Sequence, residues 1–308
     1  QRGATRAKPG PLVKKAFMAS RTLLVFGLGF SARVLVDRLR PAGWSVRATA
    51  RSADKVAALR AEGIDAFLFD GAAPIADISG ALDGVSHLLL SVPPGADGDP
   101  VLNHHGGDIA ARADDIAWAG YLSTTGVYGD RAGGWVDETS ELIPATERGR
   151  RRVDAEAGWC RLWQESGLPI HLFRLAGIYG PGRSALETVR AGNARRVVKE
   201  GQVFSRTHVA DIATVLEASI TRPNPGAAYN VCDDDPAPPQ EVVTHACELL
   251  GVALPPEIAF ADAEMSEMGR SFYAESKRVS NRRIKEELGV ALAYPDYRAG
   301  LAALLADT

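Results

Sequence analysis

An α/β fold, doubly wound around a mostly parallel sheet and carrying a smaller C-terminal lobe, is predicted by three features of this 308-residue sequence. Apolar runs of strand length alternate with helical stretches from Thr22 to Val231, the pattern that crossovers between parallel strands require. The first strand enters the first helix through a glycine-rich turn. After Gly180 the rhythm changes, and the punctuation DDDPAPP from Asp233 introduces a different, helix-rich stretch.

TLLVFG at 22–27 is a continuous apolar run, as in a strand buried on both faces. Residues 31–40 place Val34, Leu35 and Leu39 on the inner side of a helix. The pattern repeats with strands at 45–50, 64–69, 85–92 and 118–123 and a helix at 54–61. A helix spans 148–165, and 170–175 supplies the next strand. Farther on, 185–196 reads as a helix, 202–206 as a short strand, 208–219 as a helix and 228–231 as a strand, with later helices at 242–250 and 298–305.

Composition narrows the class. An apolar content of 46% suffices for one large core, or for a main core with a smaller one beside it. Six cations and no acid occupy the first 21 residues, so the remaining 287 carry −9 against −3 for the whole. An acidic body argues against a nucleic-acid surface. No run of 18 apolar residues is present to cross a bilayer. Lys14 and Lys15 interrupt the apolar part of the basic start, which reads as a leader or tag with Met18 as a natural start. Cys160, Cys232 and Cys247 lie far apart, which fits a reducing, cytoplasmic compartment better than a disulfide framework.

Gly27-Leu28-Gly29-Phe30-Ser31-Ala32 is a GxGxxA between the first strand and the first helix, the phosphate-binding turn of a Rossmann sheet. Gly27 permits the tight turn, Gly29 lets a pyrophosphate approach the backbone, and Ala32 keeps the helix close to the sheet. The amides at the helix start, around Phe30 and Ser31, then hold the phosphates; the alternative is an ordinary glycine turn. The second strand ends Ala48-Thr49-Ala50-Arg51-Ser52, without the carboxylate that usually holds the ribose of NAD. Arg51 and Ser52 can donate to a 2'-phosphate, so NADP is the expected cofactor, unless Arg51 is only a solvated residue at a helix start. Asp70 can accept from an adenine amine or cap a helix.

Ser91, Val92 and Pro93 end the fourth strand beside the expected cofactor groove, and the GADGDP that follows is loose enough for a lid or rim. His104 and His105 do not face the same way on a helix and have no third ligand at a suitable spacing. No metal site is expected, and the two histidines read as surface or supporting residues. The resulting division is the leader at 1–21, a main dinucleotide-binding domain at 22–180, a substrate-lobe insertion at 181–200, a return to the main domain at 201–232 and a mainly substrate-binding lobe at 233–308.

LSTTGVYGD at 122–130 directly follows the fifth strand and RLAGIYGPG at 174–182 the sixth. With the glycine turn, these segments resemble the extended and atypical short-chain dehydrogenases/reductases, the NAD-dependent epimerase/dehydratase-like group. The resemblance runs from about Thr22 to Val231 and implies a dinucleotide in the first domain and a substrate between the lobes. It carries to Thr124 the role of hydrogen-bonding the reacting substrate oxygen; the alternative is a turn cap. It makes Tyr179 a pocket wall near the nicotinamide and leaves Tyr128 as a packing residue.

The family's Tyr-x-x-x-Lys pair has no counterpart on the next helix. Aligning its following glutamate onto Glu156 puts Arg148 at the tyrosine position and Arg152 at the lysine position, and no tyrosine occurs from Arg131 to Arg174. Arginine stays protonated, so it can stabilise an oxyanion or bind ribose and phosphate but is a poor proton donor. Arg148, Arg150, Arg151 and Arg152 can meet an anionic substrate, or form a charged outer face with an Arg152–Glu156 pair. Phe204 stands where sugar-nucleotide enzymes of this group often place an arginine, and Arg206 lies two residues later. His208 and Asp211 read as a cap and turn support. Lys277, Arg278, Arg282 and Arg283 face either the cleft or solvent, and Arg270, Phe272 and Tyr273 offer a pocket rim.

The expected function is NADP-dependent oxidoreductase or epimerase chemistry on a small, polar, sugar-like carbonyl or alcohol, anionic where the arginines meet it. Neither a nucleic-acid nor a membrane partner is expected. Two alternatives stay open: an NADP-binding sensor or scaffold without turnover, and a nucleotide-sugar epimerase or dehydratase with an atypical acid or base.

Overall fold

The apolar first strand, β1 (Thr22–Phe26), is buried at every position, as a strand covered on both faces must be. It lies inside a sheet formed with β2 (Ser45–Ala50), β3 (Asp65–Leu68), β4 (His87–Leu90), β5 (Trp118–Thr124), β6 (Ile170–Leu175) and β7 (Ala228–Val231). The order is β7-β6-β5-β4-β1-β2-β3, and every neighbouring pair is parallel. The chain direction across the sheet reverses between β1 and β4, which opens a crevice at their C-terminal ends. The computed structural model describes residues 21–307, so the expected leader up to residue 20 lies outside the described residues.

Alternate residues of β1 point into opposite layers. Leu23 and Val25 join a core with α1 (Phe30–Leu39), α2 (Ala53–Ala61) and α7 (Val209–Thr221), through Leu35, Val56 and Ile212. Leu24 and Phe26 join a second core with α3 (Ile78–Leu82), α4 (Pro100–Ala110) and α5 (Glu147–Ser166), through Leu82, Ile109 and Trp159. Each such fully buried side chain contributes about 1.5–3 kcal/mol relative to exposure. α5 is stopped by Gly167 in the left-handed conformation, φ +79°.

A third cluster unites α6 (Ala185–Arg190), α8 (Pro239–Leu250) and α11 (Tyr297–Ala306) around Leu186, Val242, Ala246, Tyr297 and Leu301, with Tyr179 at its edge. α9 (Glu267–Phe272) lies on the cleft side, whereas Ile284 of α10 (Arg282–Glu286) packs with the α1–α2–α7 layer.

Several expectations are corrected. The helix expected at 185–196 stops at Arg190, because Gly192 turns with φ +70° and Arg196–Val198 then pairs with Glu257–Ala259. The strand expected at 202–206 is instead Arg206–His208, parallel to Gly177–Tyr179. The segment after β4 is not loose: Gly95 N donates to Gly98 O at 2.9 Å, and buried Asp99 caps α4 through the amides of Val101 and Leu102. His105 is fully buried, accepting from Ile75 N at 3.0 Å, and so is an internal brace rather than a surface residue.

Candidate functional site

β1 delivers Gly27 to the crevice with φ +84°, and its amide donates to Thr49 Oγ1 at 2.8 Å. A Cβ at Gly27 would come within 3.0 Å of Val92 Cγ2, so conformation and space both require glycine. Gly29 differs. It caps α1 with φ −100°, which any residue adopts, and a Cβ there would meet nothing within 4 Å. It gives no side-chain cap to the first-turn amides around Phe30 and Ser31, which leaves the positive end of α1 beside open space. That arrangement fits a pyrophosphate.

A groove of about 420 Å³ crosses this turn, lined by Gly29, Phe30, Arg33, Lys55, Pro181 and Val209 among others. Arg33 is held by Asp37 at 2.9 Å and Glu62 at 2.6 Å. Arg51 and Ser52 are exposed just beyond β2, and Ser52 Oγ accepts from Lys55 N at 3.3 Å, capping α2. Asp70 Oδ1 accepts from Ala72 N at 2.9 Å, so this carboxylate closes a local turn. Ser91 N is bonded to the Phe26 carbonyl at 2.9 Å, Val92 presses on Gly27, and Pro93 is exposed next to them. Lys55 was not singled out from the sequence. Its position one turn into α2, behind the Ser52 cap, was the available signal.

A larger cavity of about 600 Å³ opens at the end of β5, and Thr124, Arg148 and Tyr179 all line it. Thr124 Oγ1 accepts from Gly126 N at 3.1 Å, so the turn cap is formed while the hydroxyl proton is left to donate. Arg148 lies 4.8 Å over the ring of Phe272, which holds its guanidinium at the rim. Arg183 stacks 5.7 Å over Phe30 and also lines the cavity, joining it to the neighbourhood of the glycine turn. Phe204 and Arg206 line it too, and Arg206 donates to the carbonyls of Phe204 and Ala237 at 2.8 and 3.0 Å. Burial lowers the Arg206 pKa from its ordinary value. Tyr179 donates to the Asp296 carbonyl at 3.3 Å, and burial raises its hydroxyl pKa well above the ordinary range.

The basic residues divide sharply. Lys277 lines the cavity, Phe272 and Tyr273 form its rim, and Glu275 is the one carboxylate in its lining among the described residues. Arg282 instead pairs with Glu286 on α10 and Arg283 with Glu287 at its C-cap, and Arg270 reaches the Ala263 carbonyl. On α5, Arg150 and Arg151 pair with Glu147. Arg152 is tied to the Tyr121 hydroxyl at 3.2 Å and to the Leu122 carbonyl, against β5 and outside the cavity lining. The Arg152–Glu156 pair is replaced by a buried network. Glu156 accepts from Ser123 at 2.5 Å and from Arg174 at 2.8 Å, Arg174 donates to Tyr128 at 2.9 Å, and Tyr128 donates to Asn230 at 2.7 Å. Burial pushes the Tyr128 hydroxyl up to about 12, so it stays protonated as a structural donor. His208 caps α7 through Ala210 N, and Asp211 accepts from the amides of Ala293 and Tyr294.

No protein-family model matches the chain. Protein YeeZ of Escherichia coli strain K12 is 30% identical over 285 residues, which is 90% of this chain and 97% of YeeZ. The structure of a functionally unknown conserved protein from Silicibacter pomeroyi DSS is 55% identical with a TM-score of 0.87, covering 93% of this chain and 99% of that one. The dTDP-glucose 4,6-dehydratase of Bacillus anthracis str. Ames, in complex with NAD, has a TM-score of 0.74 at 15% identity over 93% of this chain and 96% of the dehydratase. The last likeness is one of fold.

Proposed function

The chain belongs to the family of the Escherichia coli protein YeeZ, and from its cleft we propose that it is an NADP-dependent oxidoreductase or epimerase acting on a small, polar, anionic carbonyl or alcohol. One observation carries this reading. The groove over Gly29 and the cavity at Thr124 meet around Phe30, Arg183 and the 177–181 segment, so a dinucleotide and a substrate can lie end to end. That the dehydratase of like fold is in complex with NAD supports a nicotinamide dinucleotide. At the end of β2, the exposed Arg51 and Ser52, with Lys55 in the groove, support the 2'-phosphorylated form.

In this reading the backbone of Gly27 and Gly29 and the start of α1 hold the pyrophosphate. The nicotinamide supplies a place for a hydride to come from or go to. Thr124 donates to the reacting oxygen of the substrate and so fixes which carbon is presented. Among the described residues of the cavity lining, Arg148, Arg183, Arg206 and Lys277 outnumber the single carboxylate of Glu275, which supports an anionic substrate. Phe272 orients Arg148.

Calorimetric titration with NADPH and NADH tests the cofactor. NADPH is expected to bind at least about 10-fold more tightly, a preference of about 1.4 kcal/mol, and Arg51→Asp should abolish the preference without abolishing NADH binding. Equal or reversed wild-type affinities refute NADP. NADPH consumption is then followed against a panel of carbonyl compounds and oxidised sugars. A second reading, binding without turnover, is favoured by the absence of tyrosine and lysine from α5 and by the capture of Arg152 on β5. Tight NADPH binding with no turnover across the panel decides for it.

A further inference from the structure

Carbonyl reduction or alcohol oxidation needs a group that gives and takes a proton at the substrate oxygen, and α5 offers arginine where such a group is expected. Two tyrosine hydroxyls near the cleft are committed elsewhere, and the ring of a third is packed between aromatic neighbours. Tyr128 is bonded to Asn230 and Arg174, Tyr179 to the Asp296 carbonyl, and the ring of Tyr273 lies between Phe204 at 5.5 Å and Phe260 at 5.1 Å. The other side of the cavity holds a different pair.

α9 ends in a turn at Tyr273, and beyond it the chain leads into the short strand Arg278–Val279, with Glu275, Lys277 and Val279 lining the cavity beside Tyr273. Between them, Ser276 N donates to Asp130 at 2.7 Å and Ser276 Oγ to the Gly201 carbonyl at 2.8 Å, anchoring the segment to two loops. Lys277 Nζ donates to Glu275 Oε2 at 2.6 Å and to the carbonyl of Gly129 at 2.8 Å. Gly129 closes the turn that Thr124 begins, so Lys277 and the substrate-orienting hydroxyl are fixed to one structure. The side chains of Lys277 and Glu275 are 10% and 11% exposed, an unusual burial for either residue type. An ammonium has three donors; two are spent, and the third remains for the cavity. Asp130 and Lys199 bond to the segment, Arg278 adjoins Lys277, and Arg148, Arg183 and Arg206 share the cavity lining with the pair.

We propose that Lys277 is the proton donor and acceptor of this cavity, with Glu275 as its positioning residue; the assignment rests on the oxidoreductase reading above. In the reductive direction the carbonyl carbon gains a hydride from the dihydronicotinamide dinucleotide. The carbonyl oxygen takes one proton from Lys277 Nζ, leaving an alcohol, an oxidised dinucleotide and a neutral amine that is reprotonated from solvent. Oxidation runs through the same transfers in reverse. An ammonium is a far stronger acid than an alcohol, so donation onto a developing alkoxide is favourable.

The test uses the full-length protein, NADPH and whichever carbonyl compound of the panel is turned over. Lys277→Met should lower kcat about 100-fold or more while the NADPH Kd stays within about twofold. Lys277→Arg, which keeps the charge, should not restore the rate. Competitive labelling with acetic anhydride, on the protein without cofactor, reads the lysine directly: Glu275→Gln should move the half-labelling of Lys277 to lower pH, a change that a packing role for Glu275 does not produce. Full activity in Lys277→Arg, or near-wild-type kcat in Lys277→Met, overturns the assignment while leaving the oxidoreductase reading intact. An unmoved labelling midpoint removes Glu275 from its role. Wild-type protein that binds NADPH but turns over nothing overturns both readings together. Should Lys277→Met fail to fold, the arginine variant decides.

Discussion

Glu156 is 3% exposed and carries the buried network beneath the cavity, so removing its charge should be costly. In Glu156→Gln the shape is kept, but the Arg174 guanidinium, bonded at 2.8 Å in the native protein, is left with its charge uncompensated. Breaking a buried pair in this way costs about 3–5 kcal/mol. With an unfolding entropy of about 2 cal/mol/K per residue, a chain of this length loses about 5–8 °C in Tm for that cost. The loss should be read by thermal and urea denaturation. The double variant Glu156→Met with Arg174→Met tests the reasoning further, because removing both charges leaves no buried ion to desolvate. It should be more stable than Glu156→Gln, although Tyr128 loses its Arg174 partner. A single-variant loss below about 1 kcal/mol, or a double variant that is no better, refutes the claim that the unpaired charge sets the cost.

Three further outcomes follow from the same geometry. Gly29→Val places its side chain in open space at an allowed φ, so it should cost no more than about 1 kcal/mol of stability yet weaken NADPH at least about 10-fold; unchanged titration would show that the phosphate path lies elsewhere. Thr124→Ala should lower kcat by about 100-fold with cofactor affinity nearly intact, whereas Arg148→Ala should mainly raise KM, and an unchanged kcat in the former removes Thr124 from the chemistry. Burial lowers His171 to about 4 from the ordinary 6.5. The unfolded chain therefore takes up its proton first as pH falls, and stability should decline between about 6.5 and 4 by at most about 3 kcal/mol from this ring. His171→Gln, read by urea melts at both ends of that range, should flatten the decline, and an equally steep one would assign the effect to other groups.

The sheet was legible because its strands declare themselves locally. β2, β6 and β7 have the bounds their apolar runs suggest, since a strand buried on both faces has few ways to hide its pattern. α4 escaped notice because its HHGG interior shows weak periodicity, although Asp99 followed by Pro100 was a helix-start signal. The site divided along the same line. Gly27, Gly29 and Thr124 stand at turns that directly follow apolar strands, so their place could be read locally even though Gly27 is also held by Thr49 and Val92. The fate of Arg152 depends on Tyr121 and Leu122, about 30 residues away, and that of Glu156 on Arg174. Lys277 looked like one member of a basic run, because only the docking of 273–279 between two loops separates it from Arg282 and Arg283.

Tyr179, which walls the cavity, leans on a helix far downstream. Its hydroxyl donates to the carbonyl of Asp296, 117 positions later, and a Cβ at Gly300 would sit 2.0 Å from its oxygen. During synthesis, β1 to β6 can leave the ribosome and begin to pair while this wall still has nothing behind it. The cavity can take its final shape only after α11 has emerged and laid Gly300 against the ring. A nascent chain arrested before Tyr297 would therefore carry the glycine turn but an unfinished cavity, which makes the order of translation also the order in which the two halves of the cleft mature.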